Sequence, residues 1–130
     1  MSEPIHQEVV FAAAPARIYA ALMDSGEHAA FTANGAAEIS REPGGAFSTH
    51  GGHITGRNIE LVPGRRIVQA WRVQGWPDGM YSVIRFELND EDGQTRLVFD
   101  HWGAPDDQAA HLAEGWNTRY WEPLRAFLAS

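Results

Sequence analysis

Between Gly44 and Gly103, apolar and polar residues alternate in short runs that are cut at Gly44-Gly45, Gly51-Gly52, Pro63-Gly64, Asp78-Gly79 and Asp92-Gly93. Alternation bounded by turn residues predicts successive β-strands joined by tight turns. The pattern is clearest over 81–88, where Ser82, Ile84, Phe86 and Leu88 share one face while Tyr81, Val83, Arg85 and Glu87 share the other. The first, more apolar set is expected to point inward. Over 95–102, the same reasoning puts Thr95, Leu97, Phe99 and His101 inward, and Arg96, Val98, Asp100 and Trp102 outward. For 66–73, the inward face is Ile67, Gln69, Trp71 and Val73, because the alternative carries both Arg66 and Arg72. Glu60 is inward only if Ile54, Gly56 and Asn58 form the buried face of their strand.

Ahead of this meander, His6 to Phe11 alternates as a strand. Pro15 suits a first helical turn, and Ile18, Tyr19, Leu22 and Met23 follow at helical spacing, which predicts a helix over about 15–23. Asp24 with Glu27 resembles a capping box for a second short helix ending near Phe31. The two helices are expected to plug one end of a curved sheet. After Gly103-Ala104-Pro105, the pair Asp106-Asp107 supplies a cap for a helix from about Gln108 to Ala129, about 33 Å long at 1.5 Å per residue. Its apolar stripe is Leu112, Trp116, Tyr120, Leu124, Phe127 and Leu128, and Pro123 should bend it.

A chain of 130 residues fits one domain, 1–130, without repeats or linkers. The chain has no cysteine, which removes thiolate chemistry and cysteine zinc sites and fits a reducing, cytoplasmic setting. Lysine is absent too, so all ten cationic side chains are arginine and Schiff-base chemistry is excluded. A formal net charge of −7 with scattered arginines argues against nucleic acid and anionic membranes as partners. No segment approaches the ~18 apolar residues of a membrane span, and the start Met1-Ser2-Glu3-Pro4 does not resemble an export signal.

In chain order, the pieces FAAAPARIYAALMDSGEHAAFT, GGAFSTHGGHITGRNIELVPGRRIVQAWR, YSVIRFEL, TRLVFDHWGAP and GWNTRYWEPLRAFL resemble homologues of the activator of the heat-shock-protein-90 ATPase. That family lies in the START-like, helix-grip (SRPBCC) superfamily. The resemblance implies an α+β fold of β-α-α-β6-α topology, a curved antiparallel sheet wrapped around a long C-terminal helix, with a pocket between them. It leaves function open, because the superfamily spans lipid carriers, hormone receptors, polyketide cyclases and co-chaperone domains.

Three readings then compete. In the first, a small apolar or aromatic ligand is held by Trp71, Ile84, Phe86, Phe99, Trp116 and Tyr120, with Gln69 and His101 as polar anchors. Burying ~250 Å² of apolar ligand surface at ~25 cal/mol per Å² yields ~6 kcal/mol before association costs, so selectivity falls to the anchors. In the second, a cyclase- or dehydratase-like enzyme uses His101 to move protons, but no carboxylate is placed beside it and no catalytic motif accompanies it. The third is a protein-interaction role, such as chaperone regulation. Outward Trp76, Trp102 and Trp121 would there form a surface patch suited to a homodimer. His50 and His53 flank Gly51-Gly52 like a ligand pair, yet no third ligand is near, so both read as solvated turn histidines. His6, His28 and His111 are isolated, and no metal or cofactor is expected.

Overall fold

The alternating runs become seven strands of one antiparallel sheet, in the order β1-β7-β6-β5-β4-β3-β2. The computed structural model describes residues 4–32 and 35–129, apart from the side chain of Asp106. The strands are β1 (Ile5–Phe11), β2 (Glu38–Ile39), β3 (Ala46–Thr49), β4 (Ile54–Val62), β5 (Arg66–Val73), β6 (Ser82–Glu91) and β7 (Gln94–Trp102). Two helices, α1 (Pro15–Met23) and α2 (Ser25–Thr32), separate β1 from β2. The C-terminal helical region comprises α3 (Ala109–Trp116), a π-helical turn (Asn117–Trp121) and α4 (Glu122–Ala129). Among the described residues, no helix is long and apolar enough to cross a membrane.

Sequence chemistry explains the joints. Asp92 and Gly93 both take positive φ, at 57° and 87°, as the two-residue hairpin between β6 and β7 requires. At Gly56, an added Cβ would meet the Ala70 carbonyl oxygen at 1.8 Å and the Phe47 ring, so only glycine lets β3, β4 and β5 approach this closely. The capping box forms in part, with the Glu27 N–H donating to Asp24 Oδ2 at 2.8 Å. The cap expected on Asp106 involves a side chain outside those described. Asp106–Gln108 forms a 3₁₀ turn, and α3 starts one residue later than expected.

The faces follow the alternation in β6 and β7. Ser82, Ile84, Phe86, Leu88, Thr95, Leu97, Phe99 and His101 are buried, as are Ile67, Gln69 and Trp71 on β5. On β4 the buried face is Ile54, Gly56 and Asn58, yet Glu60 is exposed. A bulge between Asn58 and Glu60 shifts the phase by one residue and turns Glu60 outward. Asp100 lies on the opposite face from His101, where it accepts hydrogen bonds from His6 Nδ1 at 2.7 Å and from an Arg85 guanidinium nitrogen at 2.9 Å.

The tryptophans differ from expectation. Trp102 is half-buried beneath the Arg85 guanidinium, but Trp76 and Trp121 are only 6% and 2% exposed. Each buried indole N–H has an acceptor: Gln108 Oε1 at 3.0 Å for Trp76 and Gln7 Oε1 at 2.6 Å for Trp121. The outward three-tryptophan patch therefore does not form. Trp121 turns inward because the π turn adds a residue per coil, which brings positions five apart onto one face. Its ring stacks on Trp116, with centroids 5.7 Å apart and planes at 22°. The sequence predicts a bend at Pro123; the structure has a π turn immediately before the proline. Proline has no N–H to give the Arg119 carbonyl, and the Glu122 N–H instead reaches back five residues to Asn117.

Candidate functional site

The sheet and the C-terminal helices close tightly over most of their contact. Phe86 and Phe99 have ring centroids 5.2 Å apart, and Phe99 meets Trp116 at 4.3 Å. No ligand-sized space separates these three rings, so this part of the anticipated ligand wall is packed core. Beside it, Gln69, Trp71, Ile84, Phe86 and Tyr120 border a gap of about 20 Å³, roughly the room one water needs.

A second space, of about 190 Å³, lies toward the N-terminal end of the helical region. Ile54, Trp71, Val73, Leu112, Trp116 and Tyr120 supply its apolar walls. Gln108, His111 and Arg119 from the helical side face His50 and His53 from the turn between β3 and β4. Of the eight ligand-binding residues anticipated, three line this cavity: Trp71, Trp116 and Tyr120. Gln69, Ile84, Phe86, Phe99 and His101 lie deeper. Gln69 is tied down by its side-chain amide, which donates to Asn58 Oδ1 at 3.0 Å.

His101 is fully engaged. Trp116 Nε1–H can only donate, so the contact at 3.1 Å makes His101 Nδ1 an acceptor. Its Nε2 then carries the proton and donates to Ser82 Oγ at 2.8 Å, while Ser82 donates onward to the Trp71 carbonyl. Burial lowers the pKa of this imidazole to about 4. A neutral ring with both nitrogens occupied crosslinks β5, β6, β7 and α3.

The sequence pattern predicts a solvated turn residue at His50 and an isolated histidine at His28, and the structure corrects both. His28 is 4% exposed, and its Nε2 lies 3.1 Å from Tyr120 Oη, while its Nδ1 is buried with no hydrogen-bond partner among the described residues. His50 is half-buried, packs on Tyr120 with centroids 5.7 Å apart, and makes a 3.0 Å hydrogen bond through Nδ1 to Thr49 Oγ1. It holds φ at +56°, a left-handed conformation rare outside glycine, and Gly51 and Gly52 continue at 65° and 93°. Burial lowers both pKa values to about 4; a neighbouring imidazole disfavours protonation of each ring further, and the Arg119 guanidinium adds to this at His50. Burial pushes the Tyr120 hydroxyl well above the usual phenol range. Periodicity could not find this cluster, because His50 belongs to a turn and His28 to a helix of weak amphipathic pattern. Among the described residues, no three His, Cys, Asp or Glu side chains converge as metal ligands.

A curved antiparallel sheet gripped by a C-terminal helical segment, with a cavity opening between them, defines a START-like domain of the helix-grip type. The chain belongs to the family described as "Activator of Hsp90 ATPase homolog 1-like protein", whose model matches residues 12–129. The human "Activator of 90 kDa heat shock protein ATPase homolog 1" is 29% identical over 115 residues, covering 88% of this chain and 34% of that protein. The chain therefore spans about a third of the length of that curated relative. An HSP90 activator from Plasmodium falciparum superposes with a TM-score of 0.91 at 20% identity, covering 98% of this chain and 97% of that one. A protein from Colwellia psychrerythraea described as an Aha1 dimer superposes with a TM-score of 0.76 at 21% identity, covering 98% and 92%.

Proposed function

We propose that this domain binds a small, largely apolar molecule in the cavity lined by Trp71, Trp116 and Tyr120. The observation that carries the reading is the cavity itself, about 190 Å³ with three aromatic walls and a few polar groups at its rim. Pockets that hold small ligands have this make-up, although most are larger, so the ligand is of about one ring. An apolar cavity of ~150 Å³ suffices for benzene. A strained His50 at the rim fits a site where backbone energy is held for recognition. The cysteine-free composition favours a reducing compartment such as the cytoplasm.

The neutral probe 4-fluorobenzyl alcohol tests the reading. Its ¹⁹F resonance should broaden and shift in the presence of the protein. Leu112→Trp, which fills the cavity from its helical wall, should abolish the effect with unchanged circular dichroism. An unperturbed resonance at millimolar probe, or a perturbation that survives the filled cavity, would overturn it.

A second reading, contact with a 90 kDa heat shock protein, is favoured by membership of the family and by the human relative's sequence similarity across 88% of this chain. If this reading holds, the purified chain raises the chaperone's ATPase rate at micromolar concentration. A rate unchanged by the chain would sink it.

A further inference from the structure

We infer that the cavity selects an anion, specifically a one-ring carboxylate whose acid group is held at Arg119; the inference rests on the ligand-binding reading above. The carboxylate-free lining is the first observation. In a chain of net charge −7 that carries 17 Asp and Glu residues, none of those among the described residues lines the cavity. The polar rim is Gln108, His50, His53, His111 and Arg119. Every one of these side chains can present an N–H, and the only formal charge at neutral pH is positive.

The state of Arg119 is the second observation. Five arginines, Arg17, Arg41, Arg66, Arg85 and Arg96, are spent on ion pairs with Asp or Glu. Arg57, Arg72 and Arg125 donate to backbone carbonyls. Arg65 and Arg119 make no ion pair or side-chain hydrogen bond among the described residues, and of the two it is Arg119 that borders the cavity, within electrostatic reach of His50. A planar guanidinium left open beside an apolar pocket matches a carboxylate in geometry as well as in charge, through two parallel N–H···O bonds.

Size and wall chemistry define the rest of the ligand. Trp71 and Trp116, which pack on each other with ring centroids 5.6 Å apart and planes at 38°, both line the cavity and supply aromatic contact to a single ring. Leu112 and Ile54 supply aliphatic contact on either side. The volume of about 190 Å³ holds one ring with a short acidic arm and excludes a fused polycycle or a long acyl chain. The negative field of the rest of the surface would repel such an anion, so the rim confers selectivity at short range.

The probes are 4-fluorophenylacetate and its neutral counterpart 4-fluorophenylacetamide, titrated by ¹⁹F NMR into the full chain. The acid should bind at least tenfold more tightly than the amide at 20 mM salt, and the ratio should shrink at 200 mM. Arg119→Gln should bring the ratio below twofold, and Arg119→Lys should restore part of it by charge without the fork. Arg119 is exposed, so neither substitution threatens folding. Equal binding of acid and amide, or a preference that survives Arg119→Gln, would overturn the anion assignment and leave the cavity reading intact. Failure of both probes together with 4-fluorobenzyl alcohol would overturn the two readings at once.

Discussion

Phe99→Ala lowers the stability of the fold by about 3–5 kcal/mol, the usual cost of removing a fully buried phenyl ring. Phe99 is 0% exposed and touches Phe86, Trp116 and Trp121 at centroid distances of 5.2, 4.3 and 5.3 Å. Neighbours already locked against one another cannot collapse into the space it leaves. His53→Ala, at an exposed turn position of the cavity rim, changes stability by less than about 0.5 kcal/mol. Urea denaturation of the two variants measures the contrast. A Phe99→Ala loss below about 1 kcal/mol would mean that the rings are loosely packed and that ligand space extends beneath the helix after all.

Acid should weaken the fold more sharply than its surface ion pairs account for. His28 and His101 are held neutral at about 4, against about 6.5 in the unfolded chain. The unfolded state therefore binds more protons between these values, and stability rises with pH through that window. Going from pH 7 to pH 5 costs about 2 kcal/mol for each of the two imidazoles, and the loss levels off below pH 4. His50 adds to the loss in the same direction, less strongly because it is partly open to solvent. His6 acts oppositely: its hydrogen bonds to Asp100 and Glu8 raise its pKa, so its contribution is present in acid and fades as pH rises. It is exposed, and solvent screens it. Urea midpoints at pH 5 and pH 7 decide the matter. Equal midpoints would show that the buried imidazoles are already solvated in the fold, and His101→Gln should remove about half of the acid loss.

The strands, their turns and most of their faces could be read from the chain because glycine pairs mark the turns and alternation marks the faces. That logic placed Ile84, Phe86, Phe99 and His101 correctly inward. It could not tell a lined cavity from a filled core, since both demand apolar residues at the same spacing. Which side chains leave room depends on rotamers and on the axial position of Trp116, which no periodicity encodes. Glu60 illustrates a second limit, because the bulge after Asn58 breaks the rule that would have turned it inward. Trp121 illustrates a third: in a regular α-helix it sits off the stripe of Trp116 and Tyr120, and the π turn alone brings it in. The rim histidines were visible as residues but not as neighbours, because Tyr120 and His28 meet across 92 positions of sequence.

The pairing of β1 with β7 sets a timetable for folding. Ile5 lies opposite His101 and Phe11 opposite Thr95, so β1, made before the other strands of the sheet, waits for β7 before it can join them. Consecutive hairpins from β2 to β7 close over short loops, whereas the β1–β7 seam carries the loop-closure entropy of everything between the first and last strands. Until that seam forms, β7 presents a bare edge beside Phe99, and Trp121 lacks the Gln7 acceptor for its indole N–H. The chain is therefore most prone to mispairing late in folding, when six strands are paired and the seventh place, at the edge, is still open.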